Sequence, residues 1–487
     1  MLFNSLQFLI FFPVVTTLYF ILPHKYRWAL LLIASCVFYM FFIPAYILIL
    51  AVTILIDYFA GIYIAKSEGK KKKLFLIISI ISTCLVLAIF KYFNFFNSNI
   101  VLIADFFNWN YSIPALKLLL PVGLSFHTFQ SLSYVIEVYK GRQKVESNFG
   151  IYALYVMFYP QLVAGPIERP QNLLHQFYEK HDFDYERVIN GLKLMAWGMF
   201  KKIVIADRIA PFVYKVYNNP ENFKGLALII ATVLFAIQIY CDFSGYSDIA
   251  IGSAKVMGFK LMQNFNRPYF SKSITEFWQR WHISLSTWFR DYLYIPLGGN
   301  KVKVPRYLLN LFITFLVSGL WHGASWTFVI WGAIHGIYII IEKLIEKYGN
   351  NMIRKAAEKR SNLIIRIIGI ILTFSLVTFS WIFFRANNIS DALYIVKNLF
   401  YNFNGWFNVE YIKNTVSSID LKSYEFLKVL IAISVLFIVE LIQRKTSIIK
   451  FINLKPIVVR WGIYIFFIIA MLFFKSFQNQ QFIYFQF

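Results

Sequence analysis

Apolar runs long enough to cross a bilayer recur from one end of the sequence to the other, separated by short polar or basic connectors. A helix of about 20 residues spans a hydrocarbon core of ~30 Å. Backbone polar groups must be satisfied internally in hydrocarbon, so such runs fold as helices or as closed barrels, and no barrel-like alternation is visible. The composition agrees, because 59% of the 487 residues are hydrophobic and 15% are charged. The chain is predicted to be an all-α integral membrane protein.

The strongest apolar runs predict eleven membrane spans. They cover residues 6–22, 28–42, 47–65, 74–93, 116–138, 225–239, 307–317, 327–341, 364–384, 426–442 and 458–474. Three weaker runs, 151–164, 192–205 and 249–259, are predicted to be tilted, re-entrant or buried. No polar connector is long enough for an independent core, so residues 1–487 are predicted to form a single membrane-embedded domain.

The formal net charge of +24 is concentrated in connectors. The basic groups are Lys66 with the run 70–73, then Lys140, Arg142 and Lys144, then Lys193, Lys201 and Lys202. This distribution is typical of the positive-inside rule and of attraction to anionic lipid, so a lipid bilayer and not nucleic acid is the expected partner. Counting spans places the amino terminus outside and the run 70–73 in the cytoplasm. The three cysteines show no C-x-x-C spacing, so no metal site is expected.

His322 is the main candidate for chemistry, because it lies inside an apolar run with the sequence SGLWHGASW at 318–326. An ionisable side chain at membrane depth faces a bundle interior or a cavity and is a functional candidate by default. Gly319 and Gly323 remove bulk beside it, which lets either a neighbouring helix or a thin ligand approach the backbone. Spacing leaves both interpretations open.

A second polar string at 273–293 predicts a helix that is too polar to cross lipid alone. Its aromatic residues, Phe277, Trp281, Trp288 and Tyr292, follow helical spacing. Thr275 is expected to cap its start, and Glu276 and Arg280 are spaced for an i,i+4 ion pair. The helix either lies in the lipid interface with tryptophan anchors or is buried, with His282 in a polar lining. Pro296 and the following glycines are expected to end it.

Several ordered strings resemble the membrane-bound O-acyltransferase (MBOAT) family, in the branch of alginate O-acetylases and peptidoglycan O-acetyltransferases. They are 165–167, 240–252, 277–294, 294–300, 318–326, 331–336, 383–386 and 482–487. The resemblance covers nearly the whole chain. It implies a bundle of about 11–13 membrane helices around a central funnel or tunnel, with re-entrant or buried helices in the middle of the chain.

The same resemblance implies that His322 is the essential catalytic residue and that His282 is its polar partner. Acyl transfer to a hydroxyl needs a base for the hydroxyl proton and a donor for the oxyanion. Neutral imidazole suits the first task, and His282 suits orientation of the acyl group or the second task. The expected substrate tunnel comprises Trp278, Ser286, Arg290, Asp291, Gly319, Trp321, Gly323 and Trp326. The offset of His335 from His322 favours a structural role.

The expected function is O-acetyl transfer from a cytoplasmic thioester to hydroxyls of an exported or cell-wall polysaccharide, in a bacterial inner (cytoplasmic) membrane. The resemblance implies acetyl-coenzyme A as the donor substrate, no bound cofactor, and an SGNH-type extracytoplasmic partner that completes the transfer. Two alternatives stay open. One is D-alanyl transfer to teichoic acids, and the other is a non-enzymatic glycan or lipid transporter, although no related halves are evident.

The charge pattern yields a test of orientation by cysteine accessibility. A cysteine placed beside Lys71 should react with a membrane-impermeant reagent only from the cytoplasmic side, and one placed at Asn4 only from outside. Labelling in intact cells and in inverted vesicles distinguishes the sides. The reverse pattern would overturn the span count.

Overall fold

The computed structural model describes residues 1–117, 120–348, 363–421, 423–444, 446–474 and 482–483. No β-strand occurs within these ranges, so the prediction of an all-α protein is confirmed. Residues 484–487, the end of the family-like string 482–487, lie outside the described part of the chain, as does most of the connector after residue 348.

The α-helices of the described residues run as follows. They are α1 (Leu6–Ile21), α2 (His24–Met40), α3 (Tyr46–Lys66), α4 (Gly69–Leu87), α5 (Phe93–Phe106), α6 (Leu124–Tyr139), α7 (Phe149–Met157), α8 (Pro170–Leu173), α9 (Tyr185–Met199), α10 (Asp207–Asn218), α11 (Leu226–Met257), α12 (Ile274–Trp278), α13 (Ile283–Phe289), α14 (Val304–His322), α15 (Trp326–Tyr348), α16 (Leu363–Arg385), α17 (Ile389–Asn398), α18 (Val409–Ser418), α19 (Ser423–Ile442), α20 (Ile448–Asn453) and α21 (Ile457–Phe474). Short π-helical segments occur at Ala88–Tyr92, Phe200–Ala206 and Arg290–Tyr294.

Six helical stretches among the described residues are long and apolar enough to cross a membrane, fewer than the eleven runs predicted. They are α3, the continuous stretch Gly69–Phe106, α11, α14, α15 and α16. Predicted runs 6–22, 28–42 and 116–138 correspond to helices of 16 or 17 residues. The separate runs 225–239 and 249–259 are parts of the single 32-residue helix α11. Asp242, Ser244 and Ser247, which lie between those runs, are buried, and the helix continues through them.

Contacts divide the chain into two compact units. The amino-terminal unit comprises Met1–Ala196 and Tyr246–Gln263, and the carboxy-terminal unit comprises Trp197–Gly245 and Asn264–Phe487. This division does not test the single membrane-embedded domain predicted over 1–487, which stays a prediction.

A buried carboxylate joins three helices of the amino-terminal unit. Asp57 on α3 is fully buried and accepts hydrogen bonds from Ser79 Oγ (2.5 Å) and Thr83 Oγ1 (3.0 Å), both on α4. Ser131 on α6 donates a further hydrogen bond to the same carboxylate. Because an unsatisfied carboxylate is costly in an apolar interior, these hydroxyls favour the packing of α3, α4 and α6 against one another.

In the carboxy-terminal unit, α14 and α15 approach until their backbones touch. A Cβ atom on Gly319 would lie 2.3 Å from the carbonyl oxygen of Phe328 and 3.1 Å from Cα of Gly332. A Cβ atom on Gly332 would lie 2.4 Å from the carbonyl oxygen of Phe315, and one on Gly323 would lie 2.2 Å from the Phe328 ring. Of the two interpretations left open by spacing, a neighbouring helix therefore occupies the space beside Gly319 and Gly323.

Two of the lysines assigned to connectors, Lys201 and Lys202, are buried in the carboxy-terminal unit, so the connector assignment is wrong for them. Lys202 Nζ lies 2.8 Å from Asp207 Oδ1 and 2.5 Å from Asp242 Oδ1. Lys201 Nζ donates to Ser244 Oγ at 2.9 Å. Both lysines lie in the π-helical segment Phe200–Ala206, and their ammonium groups meet buried partners, not lipid headgroups.

The backbone contact between α14 and α15 predicts that one added methyl group will destabilise the protein. We expect Gly332→Ala to lower the free energy of unfolding by about 1–3 kcal/mol, because the new Cβ must displace backbone. Gly462→Ala on α21 is the matched control, since no described atom beyond its own helix backbone and chain neighbours lies within 4 Å of the added Cβ. Thermal unfolding in nanodiscs measures both, and equal stability of the two variants would contradict the packing argument.

Candidate functional site

His322 ends α14 and is surrounded by aromatic rings of the carboxy-terminal unit. Its side chain is buried, at 4% exposure, three residues beyond the contact at Gly319. Its ring centroid lies 5.0 Å from that of Trp331, 5.4 Å from that of Phe384 and 6.4 Å from that of His282. The structure therefore brings together the two histidines that the sequence singled out.

His282 lies in a break between α12 and α13, so the prediction of one continuous helix over 273–293 is wrong. Its backbone is in the left-handed region (φ +45°), which is uncommon for a residue other than glycine. Asn264 holds the break, because its carbonyl accepts from Ile283 N (2.9 Å) and its Oδ1 from Ser284 Oγ (2.9 Å). The imidazole is fully buried, edge-on to Phe243 at 4.6 Å. Sparsely populated backbone conformations cluster at functional sites, where surrounding contacts enforce them.

The start of α12 also differs from the prediction. Ser273 is the N-cap, and its hydroxyl accepts a hydrogen bond from the backbone of Glu276, so the expected cap at Thr275 is wrong. The predicted pair of Glu276 and Arg280 is confirmed, with Oε1 and Nη2 2.6 Å apart. The second carboxylate oxygen of Glu276 accepts from the backbone of Lys272. Local pairing therefore stabilises the single helical turn that precedes His282.

His335 joins three helices through both of its ring nitrogens. Trp278 Nε1 on α12 donates to His335 Nδ1 at 3.2 Å, and His335 Nε2 lies 2.8 Å from Ser380 Oγ on α16. The Ser380 hydroxyl donates to the carbonyl of Val377, so it accepts the proton of Nε2. These partners assign the neutral Nε2–H tautomer. Both nitrogens are used in packing, which is the structural role that the sequence favoured.

The remaining tunnel candidates differ from one another in their contacts and in their exposure. Ser286 Oγ donates to the carbonyl of Trp281 at 3.2 Å. Arg290 pairs with Asp291 at 2.8 Å and is 59% exposed, and Trp326 is half exposed at the start of α15. Trp321 packs edge-on against His322, with ring centroids 5.0 Å apart. A tunnel lined by these residues stays a prediction.

Sequence reasoning named Trp321 but missed three other aromatic neighbours of the two histidines. Trp331, Phe384 and Phe243 each lie in a family-like string, but none of them was assigned a role. Helical spacing shows which residues share a face, but it does not show which face meets His322. Asp242 itself pairs with the buried Lys202.

The sequence matches a known protein family and several known proteins over most of its length. Residues 146–386, which hold both histidines and all of α12 to α16, match the membrane-bound O-acyltransferase family. A probable alginate O-acetylase of Pseudomonas aeruginosa is 39% identical over 410 residues, covering 83% of this chain and 76% of that relative. The chain belongs to the membrane-bound O-acyltransferase family. The interpretation as an acyltransferase is thereby confirmed.

Other relatives of this O-acyltransferase differ in the acceptor that their names give. A peptidoglycan O-acetyltransferase of Helicobacter pylori is 35% identical over 82% of this chain and 80% of its own length. A teichoic acid D-alanyltransferase of Bacillus subtilis is 27% identical over 56% of this chain and 70% of its own length.

The contacts of His335 in this acyltransferase predict a stability effect that a neighbouring hydroxyl should not share. We expect Ser380→Ala to cost about 1–3 kcal/mol, because it leaves the Nε2–H of His335 buried and unpaired. Thr378→Val is the control on the same helix, since Thr378 Oγ1 is buried with no hydrogen-bond partner among the described residues. Chemical denaturation in detergent measures the difference. Equal effects would contradict the assigned role of Ser380.

Proposed function

We propose that this protein transfers acetyl groups from a cytoplasmic thioester, acetyl-coenzyme A, to hydroxyls of an exported or cell-wall polysaccharide. The observation that carries the proposal is the buried pair of His322 and His282, whose rings lie 6.4 Å apart inside an aromatic surround. Relatives that cover most of the chain are named as alginate and peptidoglycan O-acetyltransferases, which supports a polysaccharide acceptor.

In the proposed reaction His322 is the general base. The acceptor hydroxyl oxygen forms a bond to the thioester carbonyl carbon while its proton passes to the neutral imidazole, and the carbonyl electron pair moves onto oxygen. The electron pair on the oxyanion then re-forms the carbonyl double bond, and the carbon–sulfur bond breaks. The sulfur leaves with the bonding pair of that bond and takes the proton from the imidazolium. The products are an ester and a thiol, and His322 is neutral again. His282 orients the acyl group from the other side of the site.

Buried aromatic side chains around the two histidines serve this chemistry by keeping out water, which would hydrolyse the thioester. Phe243, Trp331 and Phe384 are each at most 1% exposed. A dry surround also favours the neutral imidazole, because an unpaired charge is costly there.

We further propose a multi-pass arrangement in a bacterial inner membrane with the amino terminus outside. The lysine run 70–73 and the exposed basic residues that follow α6 support a cytoplasmic position for those connectors. In this proposal an SGNH-type extracytoplasmic partner completes the transfer to the polysaccharide, as the family resemblance implies. It is therefore added to every assay with purified protein.

D-alanyl transfer to teichoic acids is the competing proposal within the same enzyme class. Its support is the D-alanyltransferase of Bacillus subtilis, which matches this chain at lower identity and over a shorter range than the O-acetyltransferases do. Acetyl transfer is therefore the better supported reaction.

The proposed base is tested by substituting the imidazole and analysing exported glycans by mass spectrometry. We expect His322→Ala and His322→Gln each to lower acyl transfer by about 10²–10⁴-fold, because neither side chain accepts the proton as a base. His175→Ala is the control, since that histidine is 58% exposed and pairs with Glu179.

Export yield is measured on the same cells. Unacetylated glycan exported at normal yield supports the proposal, whereas loss of D-alanine instead of acetyl favours the competing reaction. Normal acetyl content in a well-expressed His322→Ala protein would remove His322 from the base role. Acetylated glycan at reduced yield would contradict acetyl transfer as the primary function.

A further inference from the structure

The indole of Trp331 holds a buried hydrogen-bond donor that the structural contacts do not use. The side chain is fully buried, and its Nε1–H has no acceptor among the residues that the structure describes. Buried tryptophan N–H groups usually find a partner, as Trp278 does at His335. A buried polar group without a protein partner calls for an explanation, and a bound substrate is one.

Trp331 directly precedes Gly332, so the α14–α15 contact fixes its position. Its ring centroid lies 5.0 Å from that of His322, and the two ring planes are nearly perpendicular (88°). Trp381 stacks on it at 5.8 Å and 19°, and Phe384 packs against it at 5.2 Å. An indole enclosed in this way cannot turn its N–H to solvent, and its ring stays in contact with that of the proposed base.

We propose that Trp331 is a catalytic residue whose Nε1–H binds the carbonyl oxygen of the acyl group. The inference rests on the proposed acyl transfer and deepens it, because it assigns the oxyanion donor. When the acceptor hydroxyl attacks, the carbonyl pair moves onto that oxygen, and the indole N–H holds the negative charge until the carbon–sulfur bond breaks. A fixed donor in a dry site acts mainly on the transition state, since it needs no reorganisation there.

This assignment separates the duties of the three polar groups. His322 moves the proton, Trp331 stabilises the oxyanion, and His282 orients the acyl group. It also distinguishes Trp331 from Trp278. The Trp278 N–H donates to His335, so Trp278 contributes only through packing.

The test removes the N–H while keeping the aromatic contacts. Trp331→Phe is purified in nanodiscs and supplied with acetyl-coenzyme A and deacetylated glycan from the same cells, and thiol release is followed. We expect the turnover rate per folded protein to fall by about 10²–10³-fold. The affinity for S-ethyl-coenzyme A, which carries CH₂ where the substrate has the carbonyl, should be unchanged. The pH profile should keep its shape, because His322 is intact.

A second variant distinguishes loss of the N–H group from loss of folding. Replacement of Trp331 by benzothienylalanine, through stop-codon suppression, exchanges only the N–H for sulfur and should give the same loss of rate. Trp461→Phe is the control, since Trp461 lies exposed on α21. Near-normal turnover in the benzothienylalanine variant, with His322→Ala inactive, would overturn the role of Trp331 alone. Normal turnover in His322→Ala would instead overturn the proposed function.

Discussion

The backbone contact between Gly319 and Gly332 is the constraint on which the site depends. It lets α14 and α15 approach more closely than any side chain would allow, and the bulky residues flanking it then meet at short range. His322 follows Gly319 by three residues and Trp331 precedes Gly332 by one, so their rings come within 5.0 Å. A wider crossing would separate the imidazole from its aromatic surround and admit water.

Several polar groups in the carboxy-terminal unit form hydrogen bonds or ion pairs with other protein groups. Both ring nitrogens of His335 are hydrogen-bonded, and Lys202 meets two carboxylates, so these groups stabilise the arrangement of helices. The N–H of Trp331 has no such acceptor in the described part of the chain, and its indole ring lies beside the ring of the proposed base. The hydrogen bonds of His335 and the ion pairs of Lys202 hold the helices of this unit together, whereas the N–H of Trp331 is assigned to chemistry because its indole is next to the proposed base.

Periodicity and composition predicted the all-α membrane class, and the cost of a polar group in an apolar run singled out His322. Tertiary contacts decided the rest. Local propensity favours one helix over 273–293, but the helix is broken at His282, where Asn264 accepts hydrogen bonds from Ile283 and Ser284. The charge pattern placed Lys202 in a connector because its partner Asp242 lies 40 residues away in sequence. The sequence does not indicate a role for Trp331, since spacing within α15 does not show that its neighbour across the interface is His322.

Rescue by a small base tests the central claim most directly, namely that the His322 imidazole takes the acceptor proton. The measurement is the rate of thiol release from acetyl-coenzyme A by His322→Ala protein in nanodiscs, with deacetylated glycan as acceptor, before and after imidazole is added. The account predicts a very low rate that rises with imidazole concentration, with no such rise in the intact protein. A wild-type rate in His322→Ala without imidazole would contradict it.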